Sequence, residues 1–86
     1  ENYPNPFNPQ THIRYQLPKA FDVTLTIYDL QGHEVRRLVA AAKSAGSHTA
    51  VWDGRDNIGN VVASGIYLYR IRADTFQDVK KCLLVK

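Results

Sequence analysis

The chain has 86 residues and a formal net charge of +3, so it fits one small domain whose basic bias is too mild to indicate nucleic-acid binding. Its single cysteine, Cys82, cannot form a disulfide within the chain. The longest apolar run, around residues 61–69, is far shorter than the ~20 residues of a membrane-spanning helix. Because the chain has no methionine, we expect it to be part of a longer protein with a partner domain upstream.

The N-terminal stretch, residues 2–9 (NYPNPFNP), holds three of the four prolines. Proline lacks an amide donor and holds the residue before it extended, so this stretch is predicted to be stiff and irregular. Tyr3 and Phe7 are spaced to dock on a neighbouring apolar surface. We therefore expect residues 1–10 to be a proline-rich segment packed on a domain formed by residues 11–86. A proline-rich recognition ligand is the alternative, supported only by a short PxxP match.

The first half of the domain shows the alternation of apolar and polar side chains that is typical of strands. Residues 11–17 and 22–29 are each predicted to form a strand with one buried face. After a turn at Gly32, residues 34–39 are predicted to pair back as a hairpin. Residues 40–47 contain alanines that favour a helix, but the run is too short to be stable alone, so we expect a loop or a single turn. The side chains predicted to face inward are Ile13, Tyr15, Leu17, Val23, Leu25 and Ile27.

The predicted core centres on residues 52–70, WDGRDNIGNVVASGIYLYR. Residues 47–53 are predicted to form a strand in which Trp52 faces inward, since a buried indole can anchor a small core. A polar loop and a short edge strand at residues 61–63 follow. Residues 65–73 form the longest predicted strand, with Tyr67, Tyr69 and Ile71 on one face.

The last predicted strand covers residues 76–86, where the run CLLV is apolar on both faces and does not show which residues point inward. About seven short strands in fewer than 100 residues predict an all-β fold, an immunoglobulin-like antiparallel β-sandwich. Tyrosines exposed on such strands could stack on sugar rings, although tyrosines in strands more often belong to the core or to cross-strand pairs.

The sequence predicts no catalytic residue, metal site or cofactor. Asp53, Asp56 and Asn57 lie in DGRDNIGN, which lacks the EF-hand spacing, so we expect these side chains to bind their own backbone in Asx-type turns. His12, His33 and His48 are widely spaced and are expected to face solvent on strands or turns. No G-x-S-x-G or G-x-x-x-x-G-K motif occurs.

The C-terminal strand carries Lys80, Lys81 and Lys86 around Leu83 and Val85. Two interpretations stay open. In the first, the lysines protect a solvated sheet edge against unwanted strand pairing. In the second, these five residues form a recognition element that another protein binds.

Four stretches in register resemble one known family: NYPNPFNPQTHIRYQLP, VTLTIYDLQGHEVRRLV, AGSHTAVWDGRDNIGNVVASGIYLYRIRA and KKCLLVK. The chain is similar to the immunoglobulin-like C-terminal sorting domain of the type IX (Por) secretion system, a family that overlaps with the immunoglobulin-like domain of the flagellar hook-capping protein. By this resemblance, the matching elements are Pro4-Asn5-Pro6, the strand start Gly65-Ile66-Tyr67 and the basic segment from Lys80 and Lys81 to Lys86.

The resemblance implies a non-catalytic C-terminal module of a secreted, multimodular bacterial protein, commonly a hydrolase. Its partners would be the secretion or outer-membrane attachment machinery and an upstream catalytic domain in the same chain, with no nucleic acid and no membrane span of its own. Its location would be extracellular or at the cell surface, reached through the periplasm. Two alternatives stay open: a carbohydrate-binding module of a glycoside hydrolase, and a structural spacer or assembly domain as in a flagellar hook cap. Pro4, Pro6, Trp52, Gly65 and Tyr67 are predicted to serve the fold.

Overall fold

The chain folds into six antiparallel strands arranged in two sheets, as seen in a computed structural model that describes residues 10–85. The strands are β1 (Thr11–Leu17), β2 (Phe21–Tyr28), β3 (Glu34–Lys43), β4 (Gly46–Trp52), β5 (Gly65–Ala73) and β6 (Phe76–Leu84). A two-stranded sheet has the order β1-β4, and a four-stranded sheet has the order β3-β2-β5-β6. The all-β antiparallel prediction is confirmed. None of the described residues forms a helix long and apolar enough to cross a membrane.

The core lies between the two sheets and is built from the alternate residues that the sequence pattern predicts to face inward. Trp52 is 0% exposed, and its ring packs edge-to-face with the Tyr67 ring at 4.9 Å between centroids and an interplanar angle of 77°. The indole Nε1 donates to the Arg55 carbonyl oxygen at 2.9 Å, so the polar end of the buried ring is satisfied. The prediction that Trp52 faces inward is confirmed. The buried apolar residues are Ile13, Leu17, Val23, Leu25, Ile27, Ala50, Trp52, Ile71, Ala73 and Leu84.

Two local predictions are wrong. The stretch around residues 40–47 is not a single loop or turn, because β3 continues to Lys43 and β4 begins at Gly46. The alanines pair with β2, for example Ala40 with Thr24, and this ladder outweighs the weak strand propensity of alanine. The predicted short strand at residues 61–63 is reduced to one isolated bridge between Arg55 and Val61.

The register of the β5–β6 ladder decides what the apolar run in β6 does. Gly65 pairs with Leu84 and Tyr67 with Cys82, so Leu84 and Cys82 share the inner face with Tyr67. Leu84 is buried and Cys82 is half-buried, whereas Leu83 points outward. Gly65 itself begins β5 with φ 154°, a backbone conformation that favours glycine.

Candidate interaction surfaces

The loop between β4 and β5 is organised by side chains that bind backbone amides. Asp53 Oδ1 accepts from the Arg55 amide at 3.1 Å. Asp56 Oδ1 accepts from the amides of Ile58 at 3.1 Å and Asn60 at 2.9 Å. The prediction of Asx-type turns is confirmed for Asp53 and Asp56 and is wrong for Asn57, whose side chain binds the start of β3. Across residues 10–85, no three His, Cys, Asp or Glu side chains lie close enough to hold a metal ion.

Asn57 ties this loop to the start of β3, a role that sequence reasoning missed. Its amide donates to the Val35 carbonyl oxygen, its Oδ1 accepts from the Arg37 amide, and its Nδ2 donates to Glu34 Oε2, each at 2.9 Å. The partners lie 20 or more residues away in sequence, so no local sequence pattern predicts these hydrogen bonds. The loop therefore covers the outer backbone edge of β3 at its start, where an unpaired strand edge would invite association.

The histidines differ in their surroundings. His33 is exposed, and its amide and Nδ1 bind Asp29 at 2.9 and 3.1 Å. The backbone hydrogen bond from His33 is the main cause that lowers the pKa of Asp29. His48 does not face solvent as predicted, because it lies half-buried on the inner face of β4 and stacks on Tyr15 at 5.3 Å between ring centroids. Burial raises the pKa of Tyr15.

A groove of about 390 Å³ opens between the two sheets beside this Tyr15–His48 stack. The opposite wall comes from the inner faces of β5 and β6, where Phe76 is 54% exposed. Lys80 also lines the groove, and its Nζ lies 3.8 Å from Asp78 Oδ2. This surface combines aromatic rings with one exposed ion pair.

The residues predicted to recognise a partner are divided between two faces of β6. Lys80 lies on the inner face opposite Tyr69, whereas Lys81 and Leu83 lie on the outer face opposite Leu68 and Ile66. Val85 follows the end of the strand and is exposed. Lys86, Pro4 and Pro6 lie outside the described residues.

The outer face of β5 and β6 places apolar and basic side chains side by side, namely Ile66, Leu68, Arg70, Arg72, Val79, Lys81 and Leu83. We call it the outer β5–β6 face. Sequence reasoning identified Lys81 and Leu83 but missed their neighbours on β5, because only the register shows that they adjoin.

The two sheets and the core between them define the chain as a small antiparallel β-sandwich domain. The family profile described as "FlgD Ig-like domain" matches residues 7–76, and the chain belongs to that family. The predicted immunoglobulin-like fold is thereby confirmed. Of the two families that the sequence resembles, the hook-capping family is the one shown.

The relatives are flagellar proteins. The chain is 43% identical over 61 residues to the basal-body rod modification protein FlgD of Salmonella typhimurium, and the same figures hold for the protein of that name from Salmonella typhi. The match covers 71% of this chain and 26% of each relative, so the chain spans about a quarter of the length of the curated relatives it matches.

Solved structures of FlgD proteins have a similar fold. FlgD from Xanthomonas campestris, described by its authors in terms of hook capping essential for flagellar assembly, superposes with a TM-score of 0.69 at 29% identity, over 90% of this chain and 56% of that one. FlgD from P. aeruginosa gives a TM-score of 0.69 at 25% identity, over 87% of this chain and 59% of that one.

These findings overturn the predicted function. The interpretation as a sorting and surface-attachment module is wrong, and so are its predicted partners, the secretion or attachment machinery and an upstream hydrolase. The physical reason lies in the residues that carried the resemblance. Trp52, Gly65 and Tyr67 build the core and the start of β5, so they identify the sandwich and carry no information about what binds its surface.

Proposed function

We propose that this chain is a non-catalytic assembly module of a hook-capping type of protein, acting at the flagellar hook, outside the cytoplasm. One observation carries the proposal: the family match over residues 7–76, with 43% identity to FlgD of Salmonella typhimurium. The structure supports a scaffolding role through its buried Trp52 core and the Asn57 bridge, which together hold the β4–β5 loop against β3. A rigid sandwich with ordered loops presents its faces to partners at little entropic cost.

The test uses the full-length protein in the organism that encodes it. Removing the segment that corresponds to residues 11–86 is expected to abolish soft-agar motility and to leave cells without completed hooks in electron micrographs. A full-length chain carrying Trp52→Ala should behave in the same way, because it loses the core anchor. The matched control is His12→Ala, an exposed side chain on β1, which should keep normal hooks. Normal hooks after the deletion would refute the proposal.

We further propose that residues 1–10 form a segment packed on the sandwich. The position of the next residue supports this, because Thr11 Oγ1 donates to the Leu83 carbonyl oxygen at 2.9 Å and so joins the start of β1 to the end of β6. Val85 is 66% exposed at that end and offers apolar surface to Tyr3 or Phe7. Removal of residues 1–9 should lower the urea midpoint of unfolding, and an unchanged midpoint would show that the segment does not pack there.

A further inference from the structure

The outer β5–β6 face exposes three large apolar side chains. Ile66, Val79 and Leu83 are 48%, 49% and 59% exposed. Ile66 and Leu83 are direct cross-strand partners, and Val79 lies on the same face of β6. Exposed apolar side chains scattered singly are ordinary, but three on one sheet face, with the half-buried Leu68 between them, are characteristic of an interaction site.

Positive charge surrounds this apolar group. Arg70 is the cross-strand partner of Val79, Lys81 is the partner of Leu68, and Arg72 follows on the same face of β5. The ion pairs among the described residues involve neither Arg72 nor Lys81. Two carboxylates lie near the face on other strands: Asp22 on β2, beyond the Thr24–Arg72 pair, makes no ion pair, and Glu34 on β3, the partner of Tyr28, is paired with Arg37. The face is therefore basic, and its charges are not neutralised from within.

Arg70 is held in place before any partner arrives. Its Nη2 donates to the Tyr28 hydroxyl oxygen at 2.7 Å, and its guanidinium carbon lies 5.2 Å from the centre of the Tyr28 ring. Tyr28 is the cross-strand partner of Leu68, so the pair adjoins the apolar group. A fixed arginine and tyrosine lose little conformational freedom on binding, and these residue types are enriched among those that dominate binding energies.

We propose that the outer β5–β6 face docks a protein surface whose apolar side chains are flanked by carboxylates. Ile66, Val79 and Leu83 would cover the apolar part, while the basic side chains beside them would meet the acids. Nucleic acid is disfavoured as the occupant, because a reader of phosphates relies on many cations and this face places an apolar group among only three. The inference rests on the proposed function, in which the partner is a neighbouring subunit of the flagellar hook.

The probe is the purified hook subunit of the same flagellum, and the full-length protein is immobilised for biolayer interferometry. Wild-type protein should bind, with an affinity that weakens as salt rises from about 50 to about 200 mM. The double variant Arg72→Glu with Lys81→Glu should lose about tenfold or more in affinity, since both reversals place like charges against the partner. Leu83→Asp should weaken binding as well, which separates the apolar contribution from the charges.

The matched control is Arg14→Glu with Lys19→Glu, which makes the same change in net charge on β1 and the turn after it. This control should bind within about twofold of wild type, since long-range charge effects alone are screened at the higher salt. Equal urea midpoints would show that the variants remain folded. No binding by wild type, or equal losses in the face variant and the control, would overturn the proposal.

Two further results keep this inference distinct from the proposed function. Sedimentation could show that the protein self-associates and that the double variant Arg72→Glu with Lys81→Glu does not. The face would then bind a second copy of this chain, and the proposal would be wrong. If the domain deletion abolishes hooks while the face variants bind and assemble like wild type, the assembly function stands and the docking face is refuted. Normal hooks after the deletion would instead refute the assembly function, whatever the binding assay gives.

Discussion

Replacing Gly54 by alanine should destabilise the domain through a contact that only the folded structure creates. Gly54 has φ 77°, and a Cβ built there lies 3.2 Å from both δ-carbons of Leu84. Leu84 is 1% exposed and belongs to the core cluster, so a withdrawal of its δ-carbons would disturb the packing there. The left-handed conformation costs a non-glycine residue about 1–2 kcal/mol, and crowding a packed core costs about 1–3 kcal/mol. We therefore expect Gly54→Ala to lower the free energy of unfolding by roughly 2–5 kcal/mol.

Gly59→Ala is the matched control, because Gly59 has φ 92° and a Cβ there meets nothing within 4 Å. It should cost only the conformational part, about 1–2 kcal/mol. Urea unfolding followed by the fluorescence of Trp52, the one tryptophan, measures both variants. In a chain that also carries Leu84→Ala, the cost of Gly54→Ala should fall by about 1–3 kcal/mol. Equal costs for the two glycine variants would refute the reasoning that Gly54 is crowded by Leu84.

Two further predictions concern the core and the pH dependence of stability. Trp52→Phe should lower the free energy of unfolding by roughly 1–3 kcal/mol in urea titrations, because it removes buried volume and the hydrogen bond from Nε1. Tyr67→Phe, which removes only the hydroxyl, should cost less than about 1 kcal/mol, and the reverse order would contradict the assigned packing. In the fold, the hydrogen bond from the His33 amide is the main cause that lowers the pKa of Asp29 below its usual 3.8. The ionised Asp29 side chain therefore stabilises the fold above pH 3.8, and this stabilisation is lost as the pH falls through the lowered pKa. Asp29→Asn should therefore flatten the acid end of a plot of urea midpoint against pH, and an unchanged slope would show that Asp29 contributes nothing.

The comparison between prediction and structure is clearest in β3 and β6. The alanines after Val39 lack strand propensity, and only their pairing with β2 keeps them extended to Lys43. The apolar run in β6 has no alternation, and only its register with β5 buries Leu84 and turns Leu83 outward. In both places the deciding neighbours are remote in sequence, so no local pattern could give the answer.

The candidate site divides in the same way. The sequence shows that lysines and apolar residues are concentrated near the C-terminus. In the structure, however, Lys80 and Lys81 lie on opposite faces of the sheet. The Arg70–Tyr28 pair joins residues 42 positions apart, so it could not be foreseen. Surfaces that bind partners are assembled from several strands, whereas the motifs in a sequence run along one strand at a time.

The sequence by itself determined the all-β fold, the inward faces of β1, β2 and β5, and the burial of Trp52, because a period of two and one large ring are local properties of the chain. Tertiary structure alone decided where β3 ends, how Asn57 closes the β3 edge, and which side chains meet on the outer β5–β6 face. The physical reason is that local patterns reflect which residues avoid water, whereas a surface depends on which strands become neighbours. That choice is made by long-range pairing when the chain folds.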